Sequence, residues 1–385
     1  MKKHTIILAI LVLGLTPFAQ EIQHEAVAVN IEVPTRVFKG KTFIDNLTID
    51  DFEIYEDGVL QTVEAVYLIR KTEIKRKEIK SEGAIDIEFS PDPSRTFVFM
   101  FEIIEYLPKI GEVLDYFFES VIRPGDSLII ATPTKTYNLN SQALERVSKE
   151  EIAKQLKGKL RADANLGSSE YRSQLRYTKT MDELDPAVVA GIDKKYTLLN
   201  ALRHLQQLAY FDEKRATDFA DFLKAKQGQK HVFFFFQKRT IPIPKEFTDI
   251  DEMEFLHDIS LDSNKLKHAF ADSSISCHFL YITKTFIDTD AKRPLPLTRK
   301  VTKRMESAMQ SFRGFAEIAE VTGGLIDSSA NAAASFERAV DYSENYYLLY
   351  YAPKNYKADG KFKDIKVNVK GQKYRITHRS GYVAD

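Results

Sequence analysis

With one cysteine, Cys277, the chain cannot form an internal disulfide, a zinc ribbon or a cysteine-ligated cluster. Tryptophan is absent, so the aromatic bulk falls to 26 Phe and 18 Tyr. There is no excess of charge of either sign. Fifty-five basic side chains balance fifty-five acidic ones, so no overall field draws the chain to nucleic acid or to an anionic membrane. The eight histidines lie far apart, without the spacing of zinc ligands. No phosphate loop, nucleophile elbow or dinucleotide fingerprint occurs, and no apolar run is long enough for a comfortable transmembrane helix. What is present is 44% apolar residues over 385 positions, enough for a full-sized core.

Lys2, Lys3 and His4 precede an apolar run from Ile6 to Leu15 and then TPFAQ, the layout of a cleaved export signal over residues 1–20. Residues 21–80 alternate in β fashion, with Val27, Val29, Ile31 and Val33 on one face and an Asp57-Gly58 turn further on. Arg70 to Lys80 is a basic run with Glu73 and Glu78 interleaved, fitting a solvated linker or a strand edge, and SPDPS at 90–94 marks a boundary. From 95 to 344, short apolar strands alternate with amphipathic helices: TFVFMF, SLIIAT, HVFFFF, CHFLYIT and GLID are the strands up to Asp327. Their continuous hydrophobicity predicts burial on both faces. NYYLLYY (345–351) continues the strand series, and the lysine-bordered 345–385 segment returns to alternation. Its tyrosines are expected at a solvent-facing rim or, on a sharper reading, on a binding surface. Residues 161–196 form a polar insertion, expected to be a long loop over the site. Cys277 and His278 sit in one predicted strand and face opposite ways, which makes Cys277 a buried thiol.

In open parallel sheets, sites form beyond the carboxyl ends of strands. The residues there are Glu102 and Glu105 after TFVFMF, Thr197 at a helix start, and Gln237 with Lys238 after HVFFFF. Two carboxylates suggest a catalytic pair or a cation site.

NLTIDDFEIYEDGVLQTVEAV, PGDSLIIAT, TLLNAL, AEVTGGLID and the stretch from Tyr346 to Tyr382 together resemble the bacterial von Willebrand factor A-related proteins. The resemblance implies an α/β fold with a doubly wound, mostly parallel sheet, von Willebrand A-like and Rossmann-like, with flanking β segments. It also implies a metal-ion-dependent adhesion site. This chain departs from that pattern: Glu102, Ile104 and Tyr106 stand where Asp-x-Ser-x-Ser is implied, and Gln237 and Lys238 stand where Asp-Gly is implied. Only Thr197 matches. Magnesium needs oxygen ligands in octahedral order, so the site is expected to be degenerate, with no metal and no cofactor.

The expected function is therefore that of an exported, periplasmic or extracellular binding protein, not an enzyme. Its partner would be a protein or a cell-envelope or extracellular polymer, with no nucleic acid and no membrane span in the mature chain. Glu102, Glu105, Thr197, Gln237 and Lys238 would form the degenerate binding face. Tyr171, Arg172, Arg176, Tyr177 and Tyr196 of the insertion would contact the partner. The alternatives are a hydrolase using Glu102 and Glu105, or a purely structural envelope protein.

Overall fold

The structure, a computed structural model, describes residues 29–80, 91–185 apart from Pro93, 193–237 apart from Tyr210, then 239, 241–242, 244, 247, 263–282, 314–371 and 373–385. The expected leader, Lys238 and the middle of the insertion (186–192) lie outside the described residues.

The first strands are β1 (Ile31–Lys39), β2 (Thr42–Phe43), β3 (Phe52–Glu56), β4 (Val59–Gln61), β5 (Ala65–Arg70) and β6 (Glu73–Ile79). Next come β7 (Arg95–Glu102), α1 (Pro108–Tyr116) continued by one π-helical turn (Phe117–Val121), β8 (Ser127–Ala131) and β9 (Thr136–Leu139). Helices α2 (Ser141–Arg146), α3 (Lys149–Gly167), α4 (Ser169–Glu183), α5 (Lys194–Ala209) and α6 (Glu213–Lys224) precede β10 (Gln229–Phe236), α7 (Ser263–Asp272) and β11 (Ile275–Ile282). Helix α8 (314–321), β12 (Ile326–Ser329), α9 (Ala332–Ser343), β13 (Asn345–Tyr351), β14 (Phe362–Val369), β15 (Arg375–His378) and β16 (Gly381–Val383) complete the chain.

Local chemistry sets the helix starts. Pro108 opens α1 at a position where its missing N–H costs nothing. The Ser148 hydroxyl accepts from Glu151 N–H at 3.3 Å to cap α3, and Asp212 caps α6 by accepting from Arg215 N–H at 2.9 Å.

Three sheets result among the described residues. One follows the order β12-β11-β10-β7-β8-β9, parallel except for the antiparallel edge strand β9. Its Phe97, Phe99, Phe101, Phe233 and Phe235 pack with Ile110, Leu114, Leu156 and Phe336 from α1, α3 and α9. Its other face, with Val98, Val232 and Phe234, packs on Ala220, Leu223, Leu266 and Phe315 from α6, α7 and α8. The second sheet has the order β15-β1-β13-β5-β6, with β2 on β1, and the third the order β16-β14-β3-β4; their pairings are antiparallel.

The expected fold class is thereby corrected. Parallel pairing is confined to one six-stranded sheet, while the other six-stranded sheet and the four-stranded sheet are antiparallel, so the chain as a whole is not a doubly wound, mostly parallel α/β fold. The physical reason is that continuous apolar runs mark only strands covered on both faces. The segments read as flanks carry most of the strands.

Those segments are interleaved. β1 lies between β13 and β15, pairing Val33 with Leu349 and Val37 with Ile376, and β3 pairs with β14, Ile54 opposite Val367. The second and third sheets share a core of Val33, Val37, Ile54, Phe52, Tyr347, Tyr351 and Val367. Tyr346, Tyr347, Tyr350 and Tyr351 are all buried, which corrects both the solvent-facing rim and the binding surface expected for them. The basic run is the edge strand β6. Cys277 is buried as expected, and burial pushes its thiol up to about 12.

Candidate functional site

The carboxyl ends of β7, β8 and β10 meet at Glu102, Thr132 and Gln237. Gln237 ties them together: its N–H donates to the Glu102 carbonyl at 2.9 Å, and its Oε1 accepts from the N–H groups of Ile104 at 2.9 Å and Glu105 at 3.0 Å. The loop after β7 therefore has two backbone donors satisfied by a buried side-chain amide. The Nε2 of Gln237 is buried without a hydrogen-bond partner among the described residues.

Glu102 faces two guanidinium groups, Arg239 Nη2 at 3.9 Å and Arg215 Nη1 at 4.0 Å. Burial nevertheless raises its carboxyl above the ordinary range, against the lowering effect of Arg239 and Arg215 and with Asp212 adding to the rise. Both arginines are held by carbonyls. Arg215 Nη2 donates to Thr132 O at 2.7 Å, and Arg239 Nη1 donates to Leu208 O at 2.6 Å. A cleft of about 270 Å³ opens here, floored by Glu102, Thr132 and Arg215 and walled by Phe211, Phe219 and Phe222.

The insertion packs beside this edge, but as helices. Ser168, between α3 and α4, donates to the Ile104 carbonyl at 2.7 Å. Asp163 of α3 accepts from Thr132 Oγ1 at 3.0 Å and Tyr137 OH at 2.7 Å, and burial together with this carboxylate pushes the Tyr137 phenol up to about 12. The expected long loop is thus replaced by the C-terminal end of α3, the whole of α4 and the start of α5. The buried residues of α4 are Tyr171, Thr178 and Met181, and Met181 packs with Leu198 and Leu202 of α5.

Burial removes Tyr171 from the expected partner contacts: it is 3% exposed, with the Arg239 guanidinium 5.9 Å from its ring. Arg172 is turned back on α3, donating to the Asn165 carbonyl at 2.9 Å. Arg176 is exposed, Tyr177 is 47% exposed and Tyr196 is 60% exposed. Thr197 lies one turn inside α5, not at its start, and its hydroxyl donates to the Asp193 carbonyl at 2.9 Å. It makes no hydrogen bond to Glu102 or Gln237. Glu105 does not line the cleft that holds Glu102, so the structure does not gather the two carboxylates there as a pair. Arg215, Arg239 and Asp212 complete the site; Arg239 lies in the stretch after HVFFFF that sequence position points to, whereas Arg215 and Asp212 were not singled out in the sequence. No linear motif marks them, because α6 and the residues after β10 meet only through sheet order.

Among the described residues, no group of three or more His, Cys, Asp or Glu side chains is placed to hold a metal ion. No helix among them is long and apolar enough to cross a membrane. No protein-family model matches the chain, and no curated protein matches it. Among solved structures it is similar to the human COPII-coat protein Sec24c, at 7% sequence identity and a TM-score of 0.31. That match covers 75% of this chain and 43% of Sec24c, so the chain spans less than half the length of that protein. A likeness this weak carries no argument about fold or function.

Proposed function

We propose that the chain is an exported, non-catalytic binding protein that holds a protein or an envelope polymer at the carboxyl edge of its parallel sheet, without a metal ion. The observation that carries this reading is the commitment of the edge's polar groups to one another. The Gln237 amide fills the loop donors, and Glu102 already faces two guanidinium groups within 4.0 Å. A divalent cation entering there would meet two fixed positive charges and a neutral amide in place of a second carboxylate. What remains open is the phenylalanine-walled cleft, with the exposed Tyr177 and Tyr196 on the neighbouring helices. Aromatic side chains in partly desolvated clefts dominate interface energies. On this reading the chain is kin to the von Willebrand factor A-related proteins and has exchanged a metal-centred site for side-chain contacts.

The test is retention of envelope components on the immobilised full chain, compared with Phe222→Glu and with Tyr177→Ala/Tyr196→Ala. The expected result is a component held by the wild type and weakened at least tenfold by Phe222→Glu. Equal retention by all three proteins overturns the assignment of the interface to this edge.

A further inference from the structure

At the opposite end of the parallel sheet, Arg36 of β1 is fully buried among groups that carry no negative charge. Its Nη1 donates to the Gly323 carbonyl at 3.2 Å and its Nη2 to Ser276 Oγ at 3.5 Å, while the rings of Tyr342 and Tyr346 lie 5.7 Å away. Beside it stand His231 of β10 and His278 of β11, both buried, with ring centroids 6.3 Å apart. Among the described residues, Arg36 Nε, His231 Nδ1, His278 Nε2 and Tyr346 OH lack hydrogen-bond partners.

The segment Thr322–Leu325 joins these groups. Leu325 N–H donates to His278 Nδ1 at 3.2 Å, which fixes the neutral imidazole with its proton on Nε2. The Leu325 carbonyl accepts from Phe279 N–H at 2.8 Å, and Val321 O accepts from Ser380 N–H at 2.7 Å. The segment is packed closely against its neighbours, with no room for a side chain at its glycines. A Cβ at Gly324 would collide with the Cys277 carbonyl, and Gly323, at φ +67°, lies against the backbone of His378. His378 is fixed in the same manner, with Nδ1 against the Arg379 carbonyl at 2.7 Å and Nε2 accepting from Val367 N–H at 3.3 Å.

We propose that Arg36, His278 and the Thr322–Leu325 segment form an acid-released latch that holds the sheet of terminal strands against the parallel sheet. The second proton on His278 must go to Nδ1, the atom that accepts from Leu325. Protonation therefore breaks that hydrogen bond, and the freed segment carries the Gly323 carbonyl that holds Arg36. Like charges add to the effect. His231 faces Arg36, Arg95 and His278; His278 faces Arg36 and the Tyr342 ring; Arg375 lies 5.7 Å from that ring. The nearby carboxylates are occupied, Glu32 by Tyr350 OH and Gln229 and Asp126 by Arg95.

Burial depresses all three histidines, His278 to about 3, with Arg36 adding to the effect on His231 and His278. A depressed imidazole binds fewer protons closed than open. The latch is therefore fully closed above the ordinary value of 6.5 and weakens as pH falls from there towards 3. Each imidazole that must charge on opening favours the open form by about tenfold per pH unit.

Amide hydrogen exchange on the full chain, corrected for intrinsic rates, tests this at pH 6.5 and pH 5. Protection at Leu325, Phe279 and Ser380 is expected to fall by about 15-fold or more, because an open-state imidazole is already half charged at pH 6.5, while Val98 and Val232 in the parallel sheet keep theirs. His278→Asn supplies an acceptor that does not titrate and is expected to flatten the response. Unchanged protection at pH 5, or a variant as acid-sensitive as the wild type, overturns the latch. If the variant does not fold, the wild-type imidazole decides by NMR: titration of His278 above pH 6 with Leu325 still protected is equally fatal.

Discussion

Arg95→Met removes one half of a buried ion pair and tests what pins the amino ends of the adjacent strands β7 and β8. Arg95 Nε meets Asp126 Oδ1 at 3.0 Å, Nη2 meets Oδ2 at 2.7 Å, and Nη2 also donates to the Val121 carbonyl at 3.0 Å. The two side chains are 4% and 1% exposed. The guanidinium also lies 4.8 Å from the Phe97 ring, a contact methionine largely preserves. The cost of the substitution is thus mainly that of a carboxylate left buried, with Arg123 N–H at 2.7 Å as its remaining donor. Breaking a buried pair from one side costs about 3–5 kcal/mol. With a urea slope of about 3 kcal/mol/M, the unfolding midpoint moves down by about 1 to 1.7 M. Urea unfolding followed by far-UV circular dichroism measures it, since the chain has no tryptophan. Arg95→Met/Asp126→Asn removes the stranded charge and keeps an acceptor for Arg123, so about 2 kcal/mol should return. A loss below about 1 kcal/mol for the single variant, as an exposed pair would give, refutes the reasoning. So does a double variant as unstable as the two single changes added together.

Four further outcomes are expected. Magnesium, calcium or manganese at millimolar concentration should leave the melting temperature unchanged, where a site filled at a thousandfold excess would add about 4 kcal/mol; a rise reversed by chelator counts against the metal-free reading. Ile104→Ser/Tyr106→Ser should not create such a rise, because Gln237 still occupies the loop amides. Deleting residues 355–385 removes β14, β15 and β16, and limited proteolysis should then cut within 31–61 while the parallel sheet persists; retained protection of 31–61 contradicts the pairing. Gly324→Ala should destabilise by more than about 4 kcal/mol in thermal melts, since backbone blocks the new Cβ; a loss under about 1 kcal/mol would show that the segment can shift.

The parallel strands were legible in the sequence because burial on both faces leaves an unbroken apolar run, as in HVFFFF. The helices of the insertion were not, because α4 buries only Tyr171, Thr178 and Met181, three positions in fifteen residues. Polar helix formers fill the rest, and a tyrosine in such a segment looks like an exposed anchor until the partner helix is known. The fold class failed for a related reason. Alternating strands show which face is covered but not by what, and pairings such as Val37 with Ile376 have no local signal. Of the site, Glu102 and Gln237 could be found by counting to the strand ends. Arg239 falls in the same stretch as Gln237, but Arg215 could not be found, since its meeting with them depends on which helix the sheet order brings to that edge.

The interleaving of β1 with β15 also sets a clock. Phe38 cannot meet Arg375 until nearly the whole chain has been made, and at about 5–20 residues per second the first strand waits roughly 17 to 70 seconds for its neighbour. Through that interval β1 and β3 have open edges, and neither terminal sheet can close around a nascent chain. The same delay leaves unpaired strands exposed to aggregation, a hazard that the lysines and arginine of β6 reduce along one edge.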